Sequence, residues 1–354
     1  MKILVDLNHP VDVNFFKNAI AQLAKKHDCQ IDITVQPRGK LIPILQKELP
    51  DFHFTPIGIH RKSFFGKIYG AGYRFLHLLS YVRRGGFDGV VSFGGIGVSH
   101  ATYVLGKPSI IFDDDIEYGL GFYPYKPFAT RLVMPQQIPV RGKNIVRYRG
   151  FKELAYLHPN HFSPDETVLK EYQLRPGEYV FVREVSKISM NYAHLETGQL
   201  ATVCGQLSTS GLNIVLSLED KSLVDRFSPQ CIVLQEPVRD IYSLMHFAKL
   251  TISSGDTMAR ESCLTGTPVI YTGGRYMSVN TELKKKGIFF EPEREHPVMS
   301  LVAMIIEQNV KEKTGNTVQR ALVDEWEDTT EVIVNNVLGA IRDDKARHQY
   351  RRGS

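Results

Sequence analysis

Short apolar runs bounded by Gly, Pro or Asp alternate with amphipathic segments along most of the chain. In the first half KILVDL, IDITVQ, FHFTPI, GVVSFG, SIIFDD and RLVMPQ read as strands. Between the first two, NFFKNAIAQLAKK places Phe15, Phe16, Ala19, Ile20 and Leu23 on one helical face. Near-continuous apolar strands alternating with such helices predict a parallel sheet covered on both faces. The alternation lapses over 156–178, a stretch with three prolines and the capping pattern SPDE, which reads as a linker. It restarts with YVFVREV, NIVLSL, CIVLQE, LTISS, PVIYTG and IFFEP, interleaved with helical patterns such as VRDIYSLMHFA and DTMARESCLTG. A last helical pattern, 316–342, carries the only tryptophan, Trp326. The expected architecture is α/β, with two doubly wound parallel-sheet domains, 1–155 and 179–315, facing across a cleft. Residues 316–354 are expected to form a helix returning to the first domain. Ligands bind such domains at the carboxyl ends of their strands, which makes the cleft the expected site.

Composition narrows the class. The 354 residues exceed one ordinary core, and 43% apolar with 23% charged residues is the balance of a soluble globular chain. Cys29, Cys204, Cys231 and Cys263 form no C-x-x-C pair, which argues against a zinc site or a disulfide framework and fits a reducing compartment. The opening apolar run stops at Asp6, too soon for a signal peptide, and no run is long enough to span a bilayer. A cytoplasmic location, with the inner face of the membrane as a variant of it, follows. Residues 1–155 hold 21 Lys and Arg against 12 Asp and Glu, net +9; the remainder holds 22 against 26, net −4. Opposite signs point to two domains with different tasks.

The stretch SSGDTMARESCLTGTP, 253–268, carries the sharpest candidate chemistry. A strand ends near Ser253 and a helix is expected to start near Asp256. Unpaired N–H groups and the dipole at a helix start favour an anion. Gly255 lets a phosphate approach the backbone, and Ser254 and Thr257 add hydroxyls. Glu261, four residues after Thr257 and on its face, is placed to accept the two hydroxyls of a ribose.

With VIYTGG following it, this stretch resembles the donor-nucleotide motif of GT-B glycosyltransferases and of the related nonhydrolysing UDP-N-acetylglucosamine 2-epimerases. The spacing from Ser254-Gly255 to Glu261 matches the lipid-linked N-acetylglucosaminyltransferase of peptidoglycan synthesis better than the epimerases. A prokaryotic family of GT-B-like proteins is closer still, sharing VDLNHPVDVNFF, YRGFKELAYLHPNHFSPD and GDTMARESCLTGTP over most of residues 1–295. The resemblance implies two Rossmann-like domains of GT-B type, with Ser254, Gly255, Asp256 and Thr257 facing a diphosphate and Glu261 the ribose. It implies the base at the backbone near Val238, a phosphate at Arg183, and a sugar pocket with Arg275 and Asn280. Asp256 departs from the family's Ser-Gly-Gly-Thr; its carboxylate caps the helix or opposes a diphosphate.

On the acceptor side the resemblance places the loop Gly94, Gly95 and Gly97, where G-x-G-x-x-H lacks the third glycine of a dinucleotide fingerprint. His9, ending the first strand, is a candidate general base, with Asp12 as its rival. IIFDDDIEYG offers Asp113, Asp114, Asp115 and Glu117 as a base, as acceptor contacts or as a magnesium site; GT-B enzymes generally work without a metal, which favours the first two. Residues 60–86 hold six Lys or Arg, no acid, and interleaved aromatics and leucines. That stretch is a sheet-covering helix with a basic outer face or a contact for an anionic membrane surface. No nucleic-acid motif is present.

The expected activity is transfer of a sugar from a nucleotide-diphosphate-sugar, UDP-type, to a hydroxyl of a surface-glycan or lipid-linked acceptor, with no cofactor and no metal. The alternatives are a nucleotide-sugar 2-epimerase on the same fold and a catalytically silent nucleotide-sugar-binding protein.

Overall fold

The structure is a computed structural model that describes residues 1–59, 64–117, 119–186, 195–209 and 211–353. The chain forms two compact units, Met1–His161 with Glu327–Ser354, and Phe162–Trp326. Each is built on a wholly parallel sheet with helices between successive strands, save that β6 runs to β7 through a turn alone.

In the first unit, β1 (Lys2–Leu7), β2 (Gln30–Val35), β3 (Phe54–Pro56), β4 (Gly89–Phe93), β5 (Ser109–Phe112), β6 (Arg131–Pro135) and β7 (Ile145–Tyr148) lie in the order β3-β2-β1-β4-β5-β6-β7. Every pair is parallel. The helix Pro10–His27 buries the predicted face of Phe15, Phe16, Ala19, Ile20 and Leu23. Phe15 meets Phe16, Phe93 and Phe112 edge-on, with ring centroids 4.7, 5.0 and 5.4 Å away. The helix Thr329–Gly353 completes this core with Ile333, Val337 and Ile341. It lies so close to β4 that a Cβ on Gly89 would stand 2.8 Å from Ile341 Cγ1.

The second unit orders β8 (Tyr179–Glu184), β9 (Asn213–Leu218), β10 (Cys231–Val233), β11 (Leu250–Ser253), β12 (Val269–Tyr271) and β13 (Phe289–Phe290) as β10-β9-β8-β11-β12-β13. All its pairs are parallel as well. In both sheets the chain starts near the middle, runs to one edge, and returns to build the other side. The order reverses between β1 and β4 and between β8 and β11, and the carboxyl ends of such pairs open a crevice.

Three features differ from the sequence pattern. IVRY, β7, was not among the expected strands, because an edge strand of four residues with an arginine has no apolar run to announce it. The 156–178 stretch is divided: residues up to His161 pack in the first unit, while Val168, Leu169 and Leu174 enter a core of the second. The expected helix over 316–342 is two helices, Val310–Asp324 and Thr329–Gly353. The break falls where the chain changes unit. The Trp326 indole N–H donates to Glu282 in the second unit at 2.5 Å. The Glu327 N–H donates to the Arg149 carbonyl in the first at 2.8 Å, and Asp328 caps the new helix by accepting from the Thr330 N–H at 2.9 Å.

Candidate functional site

At the end of β1, Asn8 and His9 lead directly into the helix Pro10–His27. Asp12 Oδ2 accepts the N–H groups of Asn8 and His9 at 2.8 and 2.9 Å, while His9 Nδ1 accepts the Val11 N–H at 3.4 Å. The two side chains thus form a reciprocal capping box. Burial raises the Asp12 carboxyl to about 7 despite those two hydrogen bonds. His9 keeps an exposed edge, yet desolvation and the positive charges of Arg38 and Lys152 lower its pKa to about 4. The ring is therefore neutral at pH 7, and the bond accepted at Nδ1 assigns its proton to Nε2.

Beneath this cap lies a buried polar network. The Arg74 guanidinium donates to both carboxylate oxygens of Asp6 at 2.7 and 2.9 Å, to Asn8 Oδ1 at 2.9 Å and to the Ile57 carbonyl. Thr34 donates to Asp6 at 2.7 Å, and Ser92 donates to the Asp6 carbonyl at 2.9 Å. Arg74 belongs to the basic 60–86 stretch, but this ion pair draws it inward, away from the outer face. Residues 60–63 of that stretch lie outside the described residues.

At the end of β5, Asp113 accepts from the Tyr125 hydroxyl and from the Asp115 N–H, the latter at 2.9 Å. Burial raises its carboxyl to about 7. Asp114 forms a buried ion pair with Lys152 at 3.0 Å, and the same ammonium stands 5.2 Å from the centre of the Phe93 ring. Glu117 is exposed. Gly94 and Gly95, after β4, take φ of +59° and +129°, values closed to most side chains. Gly97 instead stands where a Cβ would press Leu78 at 3.3 Å.

In the second unit the helix after β11 is Asp256–Leu264, with Gly255 as its N-cap. Gly255 has an ordinary extended φ of −101°; its lack of a Cβ serves Val185, whose Cγ1 would stand 2.7 Å away. The Ser254 hydroxyl accepts the Val185 N–H at 2.9 Å, so it ties β11 to β8. Asp256, buried in the first turn, accepts the Thr257 N–H at 2.8 Å through one oxygen and pairs with Arg275 at 3.1 Å through the other. Thr257 is half-buried, and Glu261 is buried on the same helix. Arg183 donates to Ser217 at 3.1 Å and pairs with Glu219 at 3.5 Å. Val238 packs against the core cluster containing Leu234 and Leu244. Asn280 is fully buried, its Oδ1 accepting from Arg260 at 3.2 Å.

Ser254, Gly255, Asp256, Thr257, Arg275 and Arg183 therefore gather around the carboxyl ends of β8 and β11, and Glu261 is buried further along the helix that starts there. Asn280 and Val238 serve the core. Four residues absent from the sequence candidates carry contacts to the candidates or their neighbours within each unit: Lys152 on Asp114, Tyr125 on Asp113 and Arg74 on Asp6 in the first, and Arg260 on Asn280 in the second. An arginine and a lysine spaced among apolar residues were the available signal, since such charges are buried only when paired. Among the described residues no group of three or more His, Cys, Asp or Glu could hold a metal ion.

No curated protein matches the sequence. Among solved structures, the chain is similar to a UDP-GlcNAc 2-epimerase from Neisseria meningitidis bound to UDP-GlcNAc, at 12% identity and TM-score 0.65 over 96% of this chain and 100% of that one. It is similar to the glycosyltransferase SnogD from Streptomyces nogalater, at 14% and 0.66 over 96% and 99%. It is similar also to MurG from Acinetobacter baumannii, at 13% and 0.61 over 96% and 100%. At these identities the likeness shows the fold, a GT-B arrangement of two Rossmann-like units. A family model described as "Protein of unknown function (DUF354)" matches residues 1–342, and the chain belongs to that family.

Proposed function

We propose that the protein is a nucleotide-diphosphate-sugar-dependent glycosyltransferase acting on a glycan or lipid-linked hydroxyl. The observation that carries this reading is the tight turn Ser253–Gly255 at the reversal point between β8 and β11, followed at once by a helix with Glu261 buried on it. The binding of UDP-GlcNAc by a structure of the same fold supports it.

In this reading the helix start and Arg275 stabilise the charge that develops on the leaving diphosphate. Arg275 exchanges Asp256 for a phosphate oxygen when donor binds, and Arg183 makes the same exchange from Glu219. Glu261 accepts from the ribose hydroxyls, and the backbone near Val238 meets the base. Acceptor chemistry belongs to the first unit. A His9 ring with its proton on Nε2 donates a hydrogen bond to an acceptor or sugar oxygen rather than removing a proton. Asp113, tuned close to neutral pH, is better matched to take the proton of the attacking hydroxyl. A 2-epimerase remains the second reading, because Asp12 and Asp113 both hold pKa values near 7 and epimerisation needs an acid and a base.

Thermal unfolding with UDP, GDP, CMP and dTDP, free and as sugar conjugates, tests the donor site. One nucleotide should raise Tm in the wild type and leave Glu261→Ala unmoved. Absence of any shift at millimolar ligand removes the reading's support. Donor consumption only with an acceptor means transfer; consumption without one means epimerisation or hydrolysis.

A further inference from the structure

The helix Phe64–Gly85 is acid-free, and its two faces are opposed in character. Arg74, Leu78 and Val82 turn inward and are buried. On the other side Phe65, Ile68, Tyr69 and Leu76 leave 81%, 57%, 56% and 61% of their surface exposed. Ile68 and Tyr69 lie three and four residues after Phe65, and Leu76 and Arg83 follow at steps of seven, two helical turns, so all five fall along one stripe. Arg83 and Arg84 are exposed at the carboxyl end of the helix, and the sequence sets Arg61 and Lys62 just before its start. Globular surfaces seldom leave a run of large apolar side chains on one exposed helix face without a use for it.

We propose that this face docks on an anionic lipid surface, with the apolar stripe entering the interface and the flanking cations meeting the headgroups. The charge pattern selects this occupant. A second copy of the chain seated on the same face would set cations against cations, because no acid lies anywhere in residues 60–86 to pair with them. A bilayer with anionic headgroups supplies both the apolar depth and the opposite charge. Arg74 lies on the opposite face of the helix and is tied to Asp6, so it adds no charge to the middle of the stripe. The outer face is then apolar from Phe65 to Leu76 and basic at its carboxyl end, where Arg83 and Arg84 are exposed.

Co-sedimentation of the full chain with vesicles tests it without nucleotide. Binding is expected to vesicles of phosphatidylcholine with phosphatidylglycerol and not to phosphatidylcholine alone, and should weaken in high salt. Ile68→Ser with Leu76→Ser should lower the partition coefficient at least about tenfold. Arg83→Glu with Arg84→Glu should lower it by a similar factor or more. Both pairs are exposed, so Tm should stay at the wild-type value. The proposal is overturned by no binding to the anionic vesicles, by equal binding to neutral ones, or by binding that the Ile68/Leu76 pair leaves intact. It is overturned also if that pair converts a stable dimer to a monomer, which would make the stripe a self-interface.

Discussion

The two points where strand order reverses carry polar groups of different kinds. Beside β1 and β4, next to the ion pairs Asp6–Arg74 and Asp114–Lys152, burial raises the hydrogen-bonded carboxyls of Asp12 and Asp113 to about 7. Beside β8 and β11 two carboxylates are met by arginines, Asp256 by Arg275 and Glu219 by Arg183, while Glu184 is buried among backbone N–H groups and raised by that burial. A buried acid without a cation stores a proton at neutral pH, whereas an ion pair stores charge that an incoming anion can trade for its own. Both points thus hold ion pairs; the first adds two carboxyls raised to about 7, and the pairs of the second join arginines to carboxylates at the start of a helix and after β9.

The largest expected effect breaks the first point alone. Arg74→Ala leaves Asp6 buried without its cation and should cost about 3–5 kcal/mol in urea unfolding. If the division between the units holds, any nucleotide-induced Tm shift survives in that variant. A pH series sharpens the comparison next. An unfolded aspartate loses its proton near 4, while folded Asp113 holds it to about 7. The folded chain therefore binds more protons across that window, and stability falls as pH rises through it, then levels off. Asp113→Asn removes this share, so its stability relative to wild type should rise by about 2–4 kcal/mol from pH 4 to pH 8. A flat difference would mean that Asp113 is already ionised in the folded chain. The smallest effect concerns the second point. A Cβ on Gly273 would stand 2.4 Å from the Ser254 carbonyl oxygen, so Gly273→Ala should cost about 1–3 kcal/mol and shift the turn that precedes Asp256. Calorimetric titration with UDP then reports whether that turn sets affinity.

Strands and their order of appearance were legible because parallel sheets bury both faces and leave long apolar runs. Helix starts were legible where small residues end a strand, as at Gly255. The reasons behind individual residues were less so. Gly255 reads as room for a phosphate, but Val185, seventy positions earlier, is what occupies the space beside it. Arg74 reads as part of a basic surface because its partner Asp6 lies in β1, and Lys152 reads as part of a joint because Asp114 follows β5. One-dimensional spacing shows which side chains share an element. It does not show which distant element supplies the countercharge.

The first unit is discontinuous in sequence: its core needs Ile333, Val337 and Ile341 from the last helix, and the whole second unit lies between. On a ribosome, the second unit has all its strands in hand before the first can be finished. The nascent first sheet must then wait, with β4 uncovered where Gly89 will meet Ile341, until the final helix emerges. Order of synthesis and order of completion are therefore reversed. A message truncated before residue 329 would yield a second unit with all its residues beside a first unit lacking part of its core.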